Sequence, residues 1–211
     1  MSFLDQVIEF ENFDFKGYFS SVTDADVRDS IYRDILKPYD LLNLLSPAAE
    51  ERLEEMAQKA QAVTRQYFGR TIGLYAPLYI SDFCSNHCTY CGFNCSTDFG
   101  RTKLTIDQIE EEAKVISGMG IRHILVLTGE APARTPMPYL VEAVSVLKKY
   151  FASIAIEIFP MDEDDYRVLN RAGVDSLTVY QETYDRELYK SVHPKGKKTD
   201  YTYRLMTPDR G

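Results

Sequence analysis

From residue 74 onward the chain alternates short apolar runs with stretches of helical spacing, and few folds accommodate that pattern. The apolar runs are LYAPLYIS (74–81), HILVLTG (123–129), IAIEIFP (154–160) and SLTVYQET (176–183). Each has the length of a strand, and the segments between them are long enough for helices. Thr105 and Gln108 form a capping-box pair at the start of one such segment. Ile109, Ala113, Ile116 and Met119 then share a helical face, and Gly118 and Gly120 help to end the helix. Residues 139–151 read as a second helix with Leu140, Val144 and Leu147 inward, and 162–173 as a third, closed by Gly173. Apolar strands joined by helices pair in parallel. The fold expected is therefore α/β, with strands near 76–81, 123–128, 154–159 and 176–182.

In parallel sheets ligands bind at the C-terminal strand edge. Polar residues gather there in this chain. Thr128-Gly129-Glu130 follow the second strand and Gln181-Glu182-Thr183 end the fourth. In IAIEIFP the alternation sends Ile154, Ile156 and Ile158 one way and Glu157 the other.

Residues 1–70 read as an N-terminal helical extension and 71–211 as the α/β core. The first 45 residues carry mixed aromatics (Phe10, Phe13, Phe15, Tyr18, Phe19) and two short helical patterns. Ser46 fits an N-cap, Pro47 the first helical position, and Glu50 and Glu51 the positive end of the dipole. Leu53, Met56, Ala60 and Val63 follow at helical spacing to about Phe68, the pattern of an amphipathic packing helix.

Composition excludes some classes of function. A hydrophobic content of 45% with 12% aromatics is that of a chain with a core, not of a disordered one. A net charge of −8 disfavours generic nucleic-acid binding through a basic surface. No apolar run reaches the roughly 18 residues of a membrane span. The N-terminus, MSFLDQVIEFENF, begins with acids and has no basic region before an apolar stretch, so it does not read as a secretory signal. A soluble, cytoplasmic protein without nucleic-acid or membrane partners is expected.

All four cysteines lie between positions 84 and 95, in Cys84-Ser-Asn-His-Cys88-Thr-Tyr-Cys91-Gly-Phe-Asn-Cys95. A disulfide framework spreads its cysteines to staple distant segments. Crowding them into one loop points to a shared metal or cluster. The C-x3-C-x2-C spacing suits three thiolates on an iron–sulfur cube whose fourth iron stays open. A four-thiolate zinc site is the rival, although zinc knuckles normally come as two separated pairs. Inert thiols are the remaining alternative.

With Tyr90 ahead of the third cysteine, the loop resembles the signature of radical S-adenosylmethionine enzymes. YISDFCSNHCTYCGF, LVLTGE, VYQETYDRELY, HPKGKKTDY and RLMTPDR occur in that order. Together they resemble the ThiH-type tyrosine lyases, the 2-iminoacetate synthase family of thiamine thiazole biosynthesis. The resemblance covers roughly residues 70–211 and implies a partial radical SAM (β/α)6 barrel of TIM type with an N-terminal helical extension. It implies a [4Fe–4S] cluster on Cys84, Cys88 and Cys91. S-adenosyl-L-methionine would chelate the open iron and be cleaved to a radical that opens the Cα–Cβ bond of L-tyrosine. The products would be 2-iminoacetate (dehydroglycine) and p-cresol.

Further expectations follow from the same resemblance. Thr128, Gly129 and Glu130 occupy the cofactor-amine motif, with Glu130 accepting from the methionyl ammonium. Tyr90 and Phe93 flank the cluster loop and the adenine side. Glu157 meets the ribose or sulfonium, or is a paired structural charge. Gln181, Glu182 and Tyr184 belong to the site rim, and His193 touches substrate. Cys95 is not a ligand, His87 faces solvent, and Lys195, Lys197 and Lys198 form a solvated run. An electron donor of flavodoxin or ferredoxin type and a thiazole synthase are the expected partners.

Family members continue well past TPDR. The expectation is thus a C-terminally truncated chain with only four strands and little lyase turnover. The tyrosine lyases that mature [FeFe]-hydrogenase share the cluster loop and QETY, whereas GKK-D and TPDR favour the thiamine enzyme. A non-catalytic cluster- or zinc-binding remnant is the reading from a different class.

Overall fold

The computed structural model describes residues 2–211. The chain forms two compact units: Glu9–Ile72, and the residues through Ile8 together with Gly73–Gly211.

The larger unit is built on a four-stranded sheet, β1 (Tyr75–Ser81), β2 (His123–Thr128), β3 (Ser153–Glu157) and β4 (Ser176–Leu177). The spatial order is β1-β2-β3-β4, and every neighbouring pair is parallel. The parallel α/β architecture expected from the apolar runs is thus the observed one. The fourth strand is much shorter than 176–182. It pairs only Ser176 and Leu177 with Ala155 and Ile156, before the Thr178 N–H donates to the Ile156 carbonyl at 2.9 Å. Beyond that the backbone leaves the sheet, and Glu182 adopts φ 73°, which an L-residue in a strand does not.

Three helices follow the first three strands: α6 (Ile106–Gly118), α7 (Met137–Leu147) and α8 (Glu163–Ala172). Both hydrogen bonds of the Thr105–Gln108 capping box are present. Leu78 and Ile80, Ile124 and Val126, and Ile154 and Ile156 form one core with Ile109, Ala113, Leu140, Val144, Leu147 and Leu169. The alternate residues Tyr79, Leu127 and Glu157 line a cavity instead. Met119 does not join the core. It is 73% exposed because it caps α6 at the point where the chain turns through Gly120 (φ 87°).

Helices α9 (Arg186–Val192), α10 (Tyr201–Leu205) and α11 (Thr207–Arg210) complete this unit. Tyr189, Tyr201 and Leu205 pack with Phe3, Leu4 and Val7. The start of α1 (Phe3–Phe10) therefore belongs with the sheet, a departure from a simple division at residue 70.

The smaller unit holds α2 (Phe15–Ser21), α3 (Asp24–Tyr32), α4 (Pro38–Leu44) and α5 (Leu53–Phe68). The first 45 residues thus form more helices than the two suggested by spacing. The aromatics there contact one another, with Phe13 and Phe15 rings 4.9 Å apart, and the buried hydrophobic residues include a small cluster of Val27, Ile31 and Ala49, with Leu42 outside it. Ser46 occupies an N-cap position with Pro47 next to it, as expected, but its side chain makes no capping hydrogen bond. Its hydroxyl donates back to the Asn43 carbonyl at 2.7 Å, Pro47–Arg52 is a 3-10 turn, and α-helix begins only at Leu53. No residue of α5 is buried, and Leu53 is 62% exposed. Among the described residues no helix is long and apolar enough to cross a membrane.

Candidate functional site

A cavity of about 240 Å³ opens at the C-terminal edge of the sheet. Its wall includes Cys84, Cys88 and Cys91, Tyr90 and Phe93, Thr128, Gly129 and Glu130, and Glu157 and Glu182. The parallel sheet causes this convergence, because β1 ends into the cysteine loop while β2 and β3 end beside it.

The cysteine loop is tied down by backbone contacts. The Ser85 N–H and hydroxyl both donate to the Glu130 carbonyl, at 2.9 and 2.8 Å, and the Gly129 N–H donates to the Ser81 carbonyl at 3.1 Å. A Cβ on Gly129 would lie 2.3 Å from the Phe83 carbonyl oxygen, so only glycine allows this approach. Arg101 secures the loop's far side, donating to the carbonyls of Asp82 (2.7 Å), Phe93 (2.8 Å) and Asn94 (2.6 Å) and stacking over Phe99. Cys95 is exposed and lies off the cavity wall. His87 is half-buried, also off the wall, with Nδ1 2.7 Å from the Ser96 hydroxyl.

Burial pushes the Cys88 thiol up, partly countered by Lys198. The Tyr90 hydroxyl is 2.7 Å from His193 Nε2, and His193 Nδ1 is 2.8 Å from the Tyr189 carbonyl. A carbonyl only accepts, so Nδ1 carries the hydrogen and Nε2 accepts from Tyr90. His193 is 1% exposed, and burial, with Lys198 next, lowers its pKa. It does not reach the cavity; it orients Tyr90 instead.

Glu130 is 9% exposed, and its Oε2 accepts from Asn86 Nδ2 at 2.7 Å with Arg204 Nη1 at 4.0 Å. Glu182 accepts from Lys198 Nζ at 2.7 Å. Glu157 has no ion pair or side-chain hydrogen bond among the described residues. Burial, and Glu182 next, raise its pKa. The charged residues on the wall are three carboxylates (Glu130, Glu157, Glu182) and two cations (Lys198, Arg204). The wall therefore carries one more carboxylate than cations, with Arg204 acting on Glu157 as well as lying near Glu130, and that excess suits a cationic ligand.

Several expectations need correction. Gln181 does not line the cavity; it is buried behind it, donating to the Tyr201 carbonyl at 3.3 Å. Its position follows from the chain leaving the sheet before residue 181. Tyr184 is exposed and packs edge-on against Phe3. Lys198 is not solvated like Lys195 and Lys197. The turn at Gly196 (φ 97°) sends it inward to Glu182, with its Nζ 5.6 Å from the centroid of the Tyr90 ring. Asn86, Arg101 and Arg204 went unassigned from sequence; Asn86 and Arg204 fall within the matching segments but meet partners far along the chain, and Arg101 lies outside those segments.

The donor set fits the cluster and cofactor implied by the resemblance. Three thiols face one cavity, whereas among the described residues no three His, Cys, Asp or Glu side chains converge to share one metal ion. Among the described residues a four-cysteine zinc tetrahedron is not preformed, and Cys95 lies off the cavity wall that the other three line. The Thr128 hydroxyl is buried on the cavity wall without a partner, a polar atom left for a ligand.

These features define a cluster-binding parallel α/β enzyme core, and comparison with known proteins gives the family. The Radical SAM superfamily model matches residues 78–207, and the chain belongs to that superfamily, whose cofactors are a [4Fe–4S] cluster and S-adenosylmethionine. The chain is 40% identical to the 2-iminoacetate synthase of Salmonella typhimurium over 209 residues, which is 99% of this chain and 55% of that one. It is 44% identical to the 2-iminoacetate synthase of Escherichia coli over 188 residues, 89% of this chain and 50% of that one. The crystal structure of HydG, a maturase of the [FeFe]-hydrogenase, superposes with a TM-score of 0.89 at 28% identity, covering 98% of this chain and 46% of that one. The chain spans about half the length of the curated relatives it matches.

Proposed function

We propose that this chain forms the cofactor-binding part of a radical lyase that cleaves the Cα–Cβ bond of L-tyrosine to 2-iminoacetate and p-cresol. The observation that carries the reading is the convergence of Cys84, Cys88, Cys91 and Glu130 on one cavity at the sheet edge. Identity of 40–44% to 2-iminoacetate synthases supports the substrate assignment. The bound cluster and S-adenosylmethionine supply the one-electron chemistry.

The chain's own residues bind and orient. Cys84, Cys88 and Cys91 offer three thiolates, and deprotonation of buried Cys88 accompanies cluster binding. Glu130 accepts from the cofactor ammonium, a charge-assisted hydrogen bond. Glu157, which has no side-chain hydrogen bond among the described residues, would offer its carboxylate to the cationic sulfonium. Thr128 offers its unpartnered hydroxyl, and Gly129 permits the approach of the loop. Tyr79, Phe93 and Leu127 form the apolar part of the wall. Glu182, held by Lys198, shapes the rim.

By the same resemblance, an electron donor of flavodoxin or ferredoxin type supplies the reducing electron, and a thiazole synthase takes the product in thiamine biosynthesis. The likeness to HydG favours a second reading, a tyrosine lyase of hydrogenase maturation. Product analysis separates the two: glyoxylate derived from 2-iminoacetate, against carbon monoxide and cyanide.

The test is anaerobic reconstitution with iron and sulfide, then reduction with S-adenosylmethionine and assay for 5′-deoxyadenosine. About four irons per chain are expected, as for a [4Fe–4S] centre. 5′-Deoxyadenosine should form with the wild-type chain and be lost in Cys88→Ala. Zinc bound in place of iron, or cofactor cleavage that survives Cys88→Ala, would overturn the reading.

A further inference from the structure

Asn86 lies between two of the cluster cysteines, is 2% exposed, and uses both ends of its amide. Nδ2 donates to Glu130 Oε2 at 2.7 Å, and Oδ1 accepts from the Lys198 backbone N–H at 3.0 Å. Its own carbonyl accepts from the Cys95 N–H at 2.8 Å. The orientation of the amide follows from these partners, because a carboxylate only accepts and a backbone N–H only donates. One side chain thus joins three segments that are 44 and 112 residues apart in sequence.

The fit behind Asn86 is close. A Cβ on Gly196 would lie 2.2 Å from Asn86 Oδ1 and 2.7 Å from its Cα, and Gly196 already has φ 97°. Segment 195–198 therefore runs directly against Asn86 and leaves the amide no room to turn. The neighbouring loop is paired in the same way, with the His87 N–H donating to the Lys195 carbonyl at 2.9 Å.

Arg204 competes for the same carboxylate oxygen. Its Nη1 is 4.0 Å from Glu130 Oε2, while its Nε is committed to the Tyr180 carbonyl at 2.7 Å. We propose that Asn86 is a positioning residue that holds the Glu130 carboxylate toward the cavity and prevents its collapse onto Arg204. The amide occupies Oε2 and leaves Oε1 for the ligand. The same contact fixes the ammonium-binding oxygen relative to the cluster loop, so one side chain sets the spacing between two cofactor contacts. A guanidinium as sole partner would instead draw the carboxylate into a forked ion pair. This proposal rests on Glu130 as the acceptor of the cofactor ammonium.

The experiment compares reconstituted wild-type chain with Asn86→Ala, Asn86→Asp, Glu130→Gln and the double variant Asn86→Asp/Glu130→Gln. It measures iron and sulfide content, S-adenosylmethionine affinity, and the electron paramagnetic resonance of the reduced cluster with and without S-adenosylmethionine. In Asn86→Ala the iron content and cofactor-free spectrum should match wild type. Affinity should fall about 10- to 100-fold, the range for losing a hydrogen bond to a charged group. The cofactor-induced spectral change should then be absent at a concentration that saturates wild type. Asn86→Asp should bind more weakly still, since two carboxylates would face each other. The double variant restores a donor–acceptor pair with the roles exchanged. It should recover the melting temperature lost in Asn86→Asp but not the affinity, because the carboxylate is gone.

Unchanged affinity in Asn86→Ala overturns the proposal. Iron lost from both Asn86→Ala and Asn86→Asp overturns it too, by making Asn86 a loop-folding residue. A double variant with no recovery of melting temperature shows that the Asn86–Glu130 contact is not the one that matters. Failure of the wild-type chain itself to bind iron or S-adenosylmethionine strikes instead at the functional reading beneath.

Discussion

Helices α5 and α7 look alike as sequence patterns and differ in what they bury. Both place apolar residues at helical spacing, yet α7 buries Leu140, Ala143, Val144, Val146 and Leu147 while α5 buries none of its residues. A strand on either side of α7 in sequence delivers a sheet face for its stripe. Among its described residues the smaller unit has no sheet, and its buried core cluster is small, Val27, Ile31 and Ala49. Periodicity therefore reports that a helix has an apolar face, whereas burial depends on what the rest of the unit supplies. The chemistry follows the same division. The cavity forms where parallel strands end together, a geometry that stacked short helices do not provide.

The largest effect that sharpens this contrast is Leu147→Ala. The side chain is fully buried against the sheet core, and a loss of about 2–5 kcal/mol is expected in urea unfolding. Gly129→Ala comes next. The added Cβ meets a backbone carbonyl that cannot swing aside, so a cost of about 1–3 kcal/mol is expected, with reduced iron loading as the cysteine loop is pushed off β2. Normal iron loading in that variant would show that the loop tolerates a wider gap than its contacts indicate.

A smaller effect should come from pH. Burial holds the His193 pKa below its unfolded value, so the unfolded chain takes the proton first. The neutral histidine's contribution is intact above the unfolded pKa of about 6.5 and declines as the pH falls through it. The urea midpoint of wild type should drop more between pH 7.5 and 5.5 than that of His193→Gln. Equal drops would mean that His193 is not held neutral. The smallest effect is assigned to Leu53→Ala on α5, within about 0.5 kcal/mol for an exposed position. A loss comparable to that of Leu147→Ala would break the comparison, because it would require Leu53 to be covered in solution.

Much of the core was legible in residues 74–183 because strands and capping boxes are local signals. The Thr105–Gln108 box and the alternation of Ile154, Glu157 and Ile158 needed no distant partner to be read. The candidate site was legible where the residues chemically declare themselves, at Cys84, Cys88, Cys91 and Glu130. Ser46 and Pro47 did mark a helical start, but of a 3-10 turn rather than an α-helix, with the Ser46 hydroxyl drawn back to Asn43. Gln181 and Lys198 misled because burial depends on where the backbone turns, at Glu182 and Gly196, and a positive φ at glutamate has no sequence signature.

Sequence alone determined the succession of strands and helices over residues 74–177 and the three-cysteine loop, because each rests on spacing within a short window, while several motifs in order carried the resemblance to the superfamily. Only the tertiary structure decided that Asn86 grips Glu130, that His193 serves Tyr90, that Lys198 turns inward and that Glu157 is set between Glu182 and Arg204 electrostatically. Those facts are distances between residues remote along the chain. Spacing in a sequence carries no such distances until the parallel sheet brings its strand ends to a common edge.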